Sequence, residues 1–134
     1  NVLAKIEAIN AGCMEAVMLN PQWFVAEATG DNIFVVRGDR LITPPPYAGT
    51  LEGITRNVVM DLARKEGMRV SEEMMTRYDL YTADEVFLTG TAAEVIGVVN
   101  IDRRPIGEGR PGPVTRRLAG IFHAHAARTG MPIA

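Results

Sequence analysis

Three consecutive prolines, Pro44-Pro45-Pro46, divide this chain of 134 residues into two stretches of different periodicity. Such a run has no amide hydrogens to give, so it can enter neither a sheet ladder nor a helix interior. It predicts an extended connection that leads to Gly49. Before it, short apolar segments alternate with turn residues. Glu15–Leu19, Trp23–Ala28, Ile33–Val36 and Arg40–Thr43 are separated by Asn20-Pro21, Gly30-Asp31-Asn32 and Arg37-Gly38-Asp39, a pattern that predicts an antiparallel meander. After it, from Ile54, the spacing becomes helical, with Val58, Val59, Leu62 and Ala63 on one side and Arg56, Asp61, Arg64 and Lys65 on the other. Gly67 closes that helix.

The flanking segments follow the same logic. Val2, Leu3, Ile6 and Ile9 recur at helical spacing up to Gly12, which predicts a helix over 1–11 with Lys5 and Glu7 on its wet face. Beyond Gly67 the pattern predicts a strand over Met68–Glu72, a helical turn over Arg77–Thr82 and a strand over Glu85–Leu88. Val95–Ile101, a turn at Asp102–Pro105 and a helix from Pro113 to about Ala127 complete the chain. No linker or repeat interrupts it, so the expectation is one domain over 1–134, either α+β or an irregular α/β barrel.

Composition narrows the function classes. Apolar residues are 47% and charged residues 22%, with a mean hydropathy of +0.05, as in chains that fold around a core. A net charge of −2 gives no broad positive field, so nucleic acid is not an expected partner. Apolar runs such as Val95–Val99 are much shorter than the roughly 20 residues of a membrane helix, so no membrane partner is expected either. The single cysteine, Cys13, permits no internal disulfide and suits a reducing, cytoplasmic setting.

Three places could hold a charged small molecule. Gly53-Ile54-Thr55 opens the middle helix, where free amides and the helix dipole attract an anion and the Thr55 hydroxyl adds a donor; a plain helix start is the commoner alternative. Thr89-Gly90-Thr91-Ala92-Ala93 can turn sharply with its amides exposed, either as an anion nest or as an ordinary turn between strands. Glu27 stands in an apolar strand and by alternation shares a face with Trp23 and Val25. If buried it needs a cationic or proton-donating partner, for which a pyridine nitrogen would serve; the alternative is a solvated strand residue. His123 and His125 lie two apart on a helix and have no third ligand nearby, so no metal site is expected. The scattered methionines read as core filling, and the pairs Arg103-Arg104 and Arg116-Arg117 as solvated surface.

Taken together, VAEATGDNIF over Val25–Phe34, GITR over Gly53–Arg56, ADEVFLTGTAAE over Ala83–Glu94 and GRPGPVT over Gly109–Thr115 resemble the fold-type IV aminotransferases, in order and in spacing. The third of these is similar to the branched-chain aminotransferases more than to D-amino acid aminotransferases or aminodeoxychorismate lyases. The resemblance implies the C-terminal, cofactor-binding domain of the D-amino acid aminotransferase-like fold, with pyridoxal 5'-phosphate as cofactor and amino acids and 2-oxo acids, 2-oxoglutarate among them, as substrates. It assigns Glu27 to the pyridine nitrogen and Leu51 to packing against the ring. Gly53, Ile54, Thr55, Gly90 and Thr91 fall to the phosphate, and the amides of Thr91, Ala92 and Ala93 to the substrate carboxylate. It also places the Schiff-base lysine a few residues before the position of Asn1, behind a small upstream domain. Lys5 matches no position used for chemistry. The expectation is therefore a fragment of a homo-oligomeric enzyme, inactive alone. D-amino acid transfer, the lyase reaction, or a non-catalytic phosphate-ester-binding module are the alternatives.

Overall fold

The structure, a computed structural model, describes residues 1–130. Its elements in chain order are α1 (Val2–Asn10), β1 (Val17–Leu19), β2 (Val25–Ala28), β3 (Asn32–Arg37), β4 (Arg40–Thr43), α2 (Ile54–Lys65) and β5 (Arg69–Glu72). There follow α3 (Arg77–Tyr81), β6 (Glu85–Gly90), β7 (Glu94–Val98), β8 (Asn100–Ile101), β9 (Arg104–Pro105) and α4 (Pro113–Thr129).

A five-stranded sheet in the order β5-β4-β3-β6-β7 forms the centre, with β5 parallel to β4 and the other pairs antiparallel. Its inner strands are covered on both faces, which is why Ile33–Val36 reads as an unbroken apolar run rather than an alternating one. Ile33, Val35, Ile42, Val86 and Leu88 pack with Val25, Leu80 and Ile106 on one face. On the other, Phe34, Val36, Leu41 and Phe87 meet Val59, Met60 and Ala63 of α2 and Leu118 of α4. The Phe34 and Phe87 rings stack there with centroids 5.0 Å apart. Glu85 caps α4 by accepting hydrogen bonds from the Val114 amide at 2.9 Å and the Thr115 amide at 2.7 Å.

Several expectations are corrected. The first four strands do not form one meander: β1 and β2 pair only with each other, with a bulge after Met18, while β3 and β4 join the large sheet. The sheets among the described residues are open, so the architecture is mixed α and β without barrel closure. The proline tract is not extended throughout; Pro46 starts a short 3-10 turn over Pro46–Ala48, a position where a missing amide costs nothing, and Gly49 at φ 101° ends it. Trp23 lies outside β2, exposed at φ 68°, so alternation cannot be counted from it.

Helix α1 presents another face than its periodicity predicts, and α2 departs from its own at one residue. Helix α1 turns its apolar residues outward: Val2, Leu3, Ile6 and Ile9 are exposed and only Ala8 is buried. The ion pair of Lys5 with Glu15, 3.1 Å, and the Cys13 amide bond to the Ala8 carbonyl hold its other side against 13–15. In α2 Val59, Leu62 and Ala63 are buried as the pattern predicts and Val58 is half-buried; the departure is Arg56, which lies on the core face with Val59, Met60 and Ala63 at i+3, i+4 and i+7 and not on the wet one.

Candidate active site

Helix α2 begins without a side-chain cap, leaving the amides of its first turn without partners inside the helix. The turn that leads into it, 50–53, is fixed by Asn32, the first residue of β3. Asn32 Nδ2 donates to Thr50 Oγ1 at 3.0 Å and to the Leu51 carbonyl at 2.7 Å. Its Oδ1 lies so close to Gly53 that a Cβ there would collide with it. Glycine is required by that approach, since Gly53 itself has an ordinary extended φ of −70°.

Glu27 is half-buried and does not depend on solvent alone. Its Oε2 accepts the Leu51 amide at 2.8 Å and the Thr50 hydroxyl at 3.3 Å. The carboxylate is thus anchored to the same turn that delivers the chain to α2. One oxygen is held, and the other has no hydrogen bond to the described residues.

The third segment, Thr89–Ala93, is the end of β6 and the tight turn into β7. Gly90 is packed against Asp31, whose Oδ1 would clash with a Cβ. Thr89 is buried, and its hydroxyl has no hydrogen-bond partner among the described residues. An orphaned buried hydroxyl costs about 1–3 kcal/mol unless something is there to receive it.

These segments surround one cavity of about 170 Å³. Glu27, Leu51, Gly53, Ile54, Thr55, Gly90 and Thr91 line it, from three separate stretches of sequence. Asn1, Thr29, Gly30, Asp31, Asn32 and Thr89 line it as well; apart from Asn1 they lie within the sequence words that carry the resemblance, but the resemblance assigns none of them a role in the site. Ala92 and Ala93 are not part of the wall. No Lys or Arg among the described residues contributes to the lining, so an anion there would be held by amides, hydroxyls and the positive end of α2. Leu51 and Ile54 are largely exposed and offer apolar surface at the same place.

Burial, joined by the negative charge of Glu15, pushes the Asp31 carboxyl above its ordinary range, with Lys5 opposing. For Glu15 burial acts in the same upward sense, but hydrogen bonds from Thr29, Ala16 and Lys5 outweigh it and hold the group below its ordinary value. Lys5 is spent on Glu15 and the Met14 carbonyl and does not line the cavity. Among the described residues no cluster of three or more His, Cys, Asp or Glu could hold a metal, and no helix is long and apolar enough to cross a membrane.

The family model for amino-transferase class IV matches residues 1–101. The chain belongs to the aminotransferase class IV family. This class IV chain is 48% identical over 122 residues to the branched-chain-amino-acid aminotransferase of Pseudomonas aeruginosa, a match covering 91% of the chain and 39% of that protein. The solved branched-chain amino acid aminotransferase from Escherichia coli superposes with a TM-score of 0.90 at 41% identity, covering 92% of this chain and 42% of the other. The branched-chain amino acid aminotransferase from Thermobaculum terrenum, solved in its PLP form, gives a TM-score of 0.90 at 43% identity, with 96% and 42% covered. The class IV chain therefore has the fold of these branched-chain enzymes over its matched length and spans less than half the length of each.

Proposed function

We propose that the chain is the cofactor-binding domain of a pyridoxal-phosphate-dependent aminotransferase that moves the amino group of branched-chain L-amino acids to 2-oxoglutarate. The observation that carries this reading is the meeting of Glu27, the 51–55 segment and the Gly90-Thr91 turn around one cavity. The donor set fits the group: free first-turn amides of α2, the Thr55 hydroxyl and the orphaned Thr89 hydroxyl suit a phosphate ester, and the half-buried Glu27 carboxylate suits a protonated ring nitrogen.

In this reading Ile54, Thr55, Gly90 and Thr91 bind the phosphate and Leu51 covers one face of the ring. Glu27, steadied by Thr50 and the Leu51 amide, keeps a proton on the ring nitrogen. The bound cofactor withdraws electrons from the amino acid Cα and so acidifies its C–H bond. The resemblance assigns the amides of Thr91, Ala92 and Ala93 to the substrate carboxylate, and of these residues Thr91 lines the cavity. The resemblance assigns the lysine that moves the proton, and a small upstream domain, to sequence ahead of position 1; the relatives are more than twice as long as this chain. Assembly as a homo-oligomer follows from the same resemblance. The lone exposed Cys13 suits a reducing compartment, and we place the protein in the cytoplasm.

The test joins this chain to the upstream part of the Pseudomonas aeruginosa relative. The 134-residue chain alone is expected to bind pyridoxamine 5'-phosphate without transaminating leucine, and the chimera to transaminate leucine, isoleucine and valine with 2-oxoglutarate. A folded chimera that binds the cofactor and acts only on D-alanine, or only releases pyruvate from aminodeoxychorismate, would replace this reading by one of its relatives.

A further inference from the structure

We propose that Asn32 is a positioning residue for Glu27, acting through Thr50 and the Leu51 peptide, an inference that rests on the assignment of Glu27 to the cofactor's ring nitrogen. Asn32 is buried, and both hydrogens of its amide are committed, one to Thr50 Oγ1 and one to the Leu51 carbonyl. Because the Thr50 oxygen accepts from Asn32, its own proton is free to point at Glu27 Oε2, 3.3 Å away. The Leu51 peptide is gripped from both sides, its carbonyl by Asn32 and its N–H by Glu27 at 2.8 Å.

Asn32 therefore fixes both donors that hold the Glu27 carboxylate, without touching it. The amide cannot be turned over at no cost, because the flipped form would set Oδ1 against the Leu51 carbonyl and leave two acceptors face to face. An aspartate of the same shape would reverse the sense of the chain: it would take the Thr50 proton for itself and repel the Leu51 carbonyl. By fixing where the two donors stand, the Asn32 carboxamide sets the direction of the carboxylate, on which the strength of a charge–charge contact depends. The phosphate end of the cavity takes no hydrogen bond from the Thr50 hydroxyl or the Leu51 amide; it rests on the β6–β7 turn and on the start of α2, which Asn32 touches only through its packing against Gly53.

The experiment uses the 134-residue chain with two probes that need no lysine, pyridoxamine 5'-phosphate and inorganic phosphate. Dissociation constants are measured for both, together with the pH at which the bound pyridoxamine phosphate ring titrates in the near-ultraviolet. Glu27→Gln is the reference and is expected to lower that midpoint. Asn32→Ala, which removes both donors without adding a charge, is expected to lower it in the same direction and to weaken pyridoxamine phosphate about tenfold, as loss of a group that orients a direct ligand commonly does. Thr50→Val should lower the midpoint as well and weaken pyridoxamine phosphate about threefold, the low end for a hydrogen bond as long as 3.3 Å to a carboxylate, with inorganic phosphate affinity unchanged. If Glu27→Gln leaves the ring midpoint in place, the pairing of Glu27 with the ring nitrogen is wrong and the inference falls with it. If Glu27→Gln shifts the midpoint while Thr50→Val and Asn32→Ala do not, the pairing stands and the positioning role is overturned. Should Asn32→Ala fail to fold, Thr50→Val decides alone, and a parallel loss of both ligands in that variant would reduce the network to a scaffold and overturn the proposal.

Discussion

The guanidinium of Arg56, only 1% exposed, is held between the carbonyl oxygen of Pro44, 3.0 Å away, and the carboxylate of Glu72 at the end of β5. One residue of the first turn of α2 thus ties the helix start to the proline tract and to the sheet edge. The direction of the cavity's free amides depends on this tie.

The two partners are unequal, and the consequence is measurable. Glu72 is partly exposed and can rehydrate if its partner is lost, whereas Arg56 cannot. Glu72→Ala leaves a buried charge without its counter-ion and is expected to cost about 3 kcal/mol or more, while Arg56→Met, which keeps the packing, should cost less, about 1–2 kcal/mol. Urea unfolding at neutral pH compares them; equal losses, or a worse result for Arg56→Met, would contradict the account.

Glu85 is also buried, and it accepts from the Val114 and Thr115 amides and from the Thr115 hydroxyl at 2.6 Å. It serves as the cap that Gly112 cannot provide, because that N-cap residue has no side chain. Glu85→Gln retains one acceptor oxygen and is expected to lose about 1 kcal/mol, and Glu85→Ala about 2 kcal/mol or more, with exchange protection lost first at the α4 amides. Uniform loss of protection across the sheet instead would assign Glu85 to the core and not to the cap.

The elements are largely legible in the sequence, because strand and helix periods are local properties. Arg40–Thr43 and the start of α2 at Ile54 fall where the pattern puts them. What periodicity cannot supply is which side of an element meets the rest of the chain. Arg56 lies on the stripe of Val59, Met60 and Ala63, yet a cation argues for solvent until Pro44 and Glu72 are seen around it. For α1 the inverse holds, since Leu3 and Ile6 argue for burial and nothing among the described residues covers them. At the site, Glu27, Thr55 and Thr91 each have a commoner bland reading, and only the resemblance joins them. Asn32 and Thr50 give no signal beyond that of turn residues, because their role consists of contacts between segments distant in sequence.

Two acidic side chains beside the cavity make opposite contributions to stability as pH changes. Glu15 has its carboxyl held below the ordinary 4.5, so its stabilising effect is complete above that value and is lost as pH falls through the lower folded value. Asp31 is raised above the ordinary 3.8, so it destabilises the fold once pH exceeds its raised value and has no effect below 3.8. At about pH 7 Asp31→Asn is therefore expected to unfold at higher temperature than the parent chain and Glu15→Gln at lower, with both differences vanishing at strongly acid pH. Thermal melts from acid to neutral pH check the signs; a Glu15→Gln variant as stable as the parent at neutral pH would show that Thr29 and Lys5 hold it to no effect.

At Thr89 stability and binding are expected to move apart. The residue is 1% exposed and contributes to the cavity wall beside Gly90 and Thr91, and its buried hydroxyl has no hydrogen-bond partner among the described residues. A buried hydroxyl without a partner destabilises a fold by about 1–3 kcal/mol, so a group this deep is best understood through what it meets when a ligand is present. Thr89→Val removes the oxygen, retains the β-branched shape suited to β6 and fills the same space. The variant is expected to be about 1 kcal/mol more stable than the parent in the absence of ligand and to bind inorganic phosphate about three- to tenfold more weakly. Thr55→Val, whose hydroxyl is partly exposed, should weaken phosphate by a similar factor without the gain in stability. Unfolding curves with and without phosphate give both quantities from one set of samples. A Thr89→Val variant that gains stability and binds phosphate as well as the parent would remove Thr89 from the site, and one that loses stability would mean that its hydroxyl is already satisfied in solution.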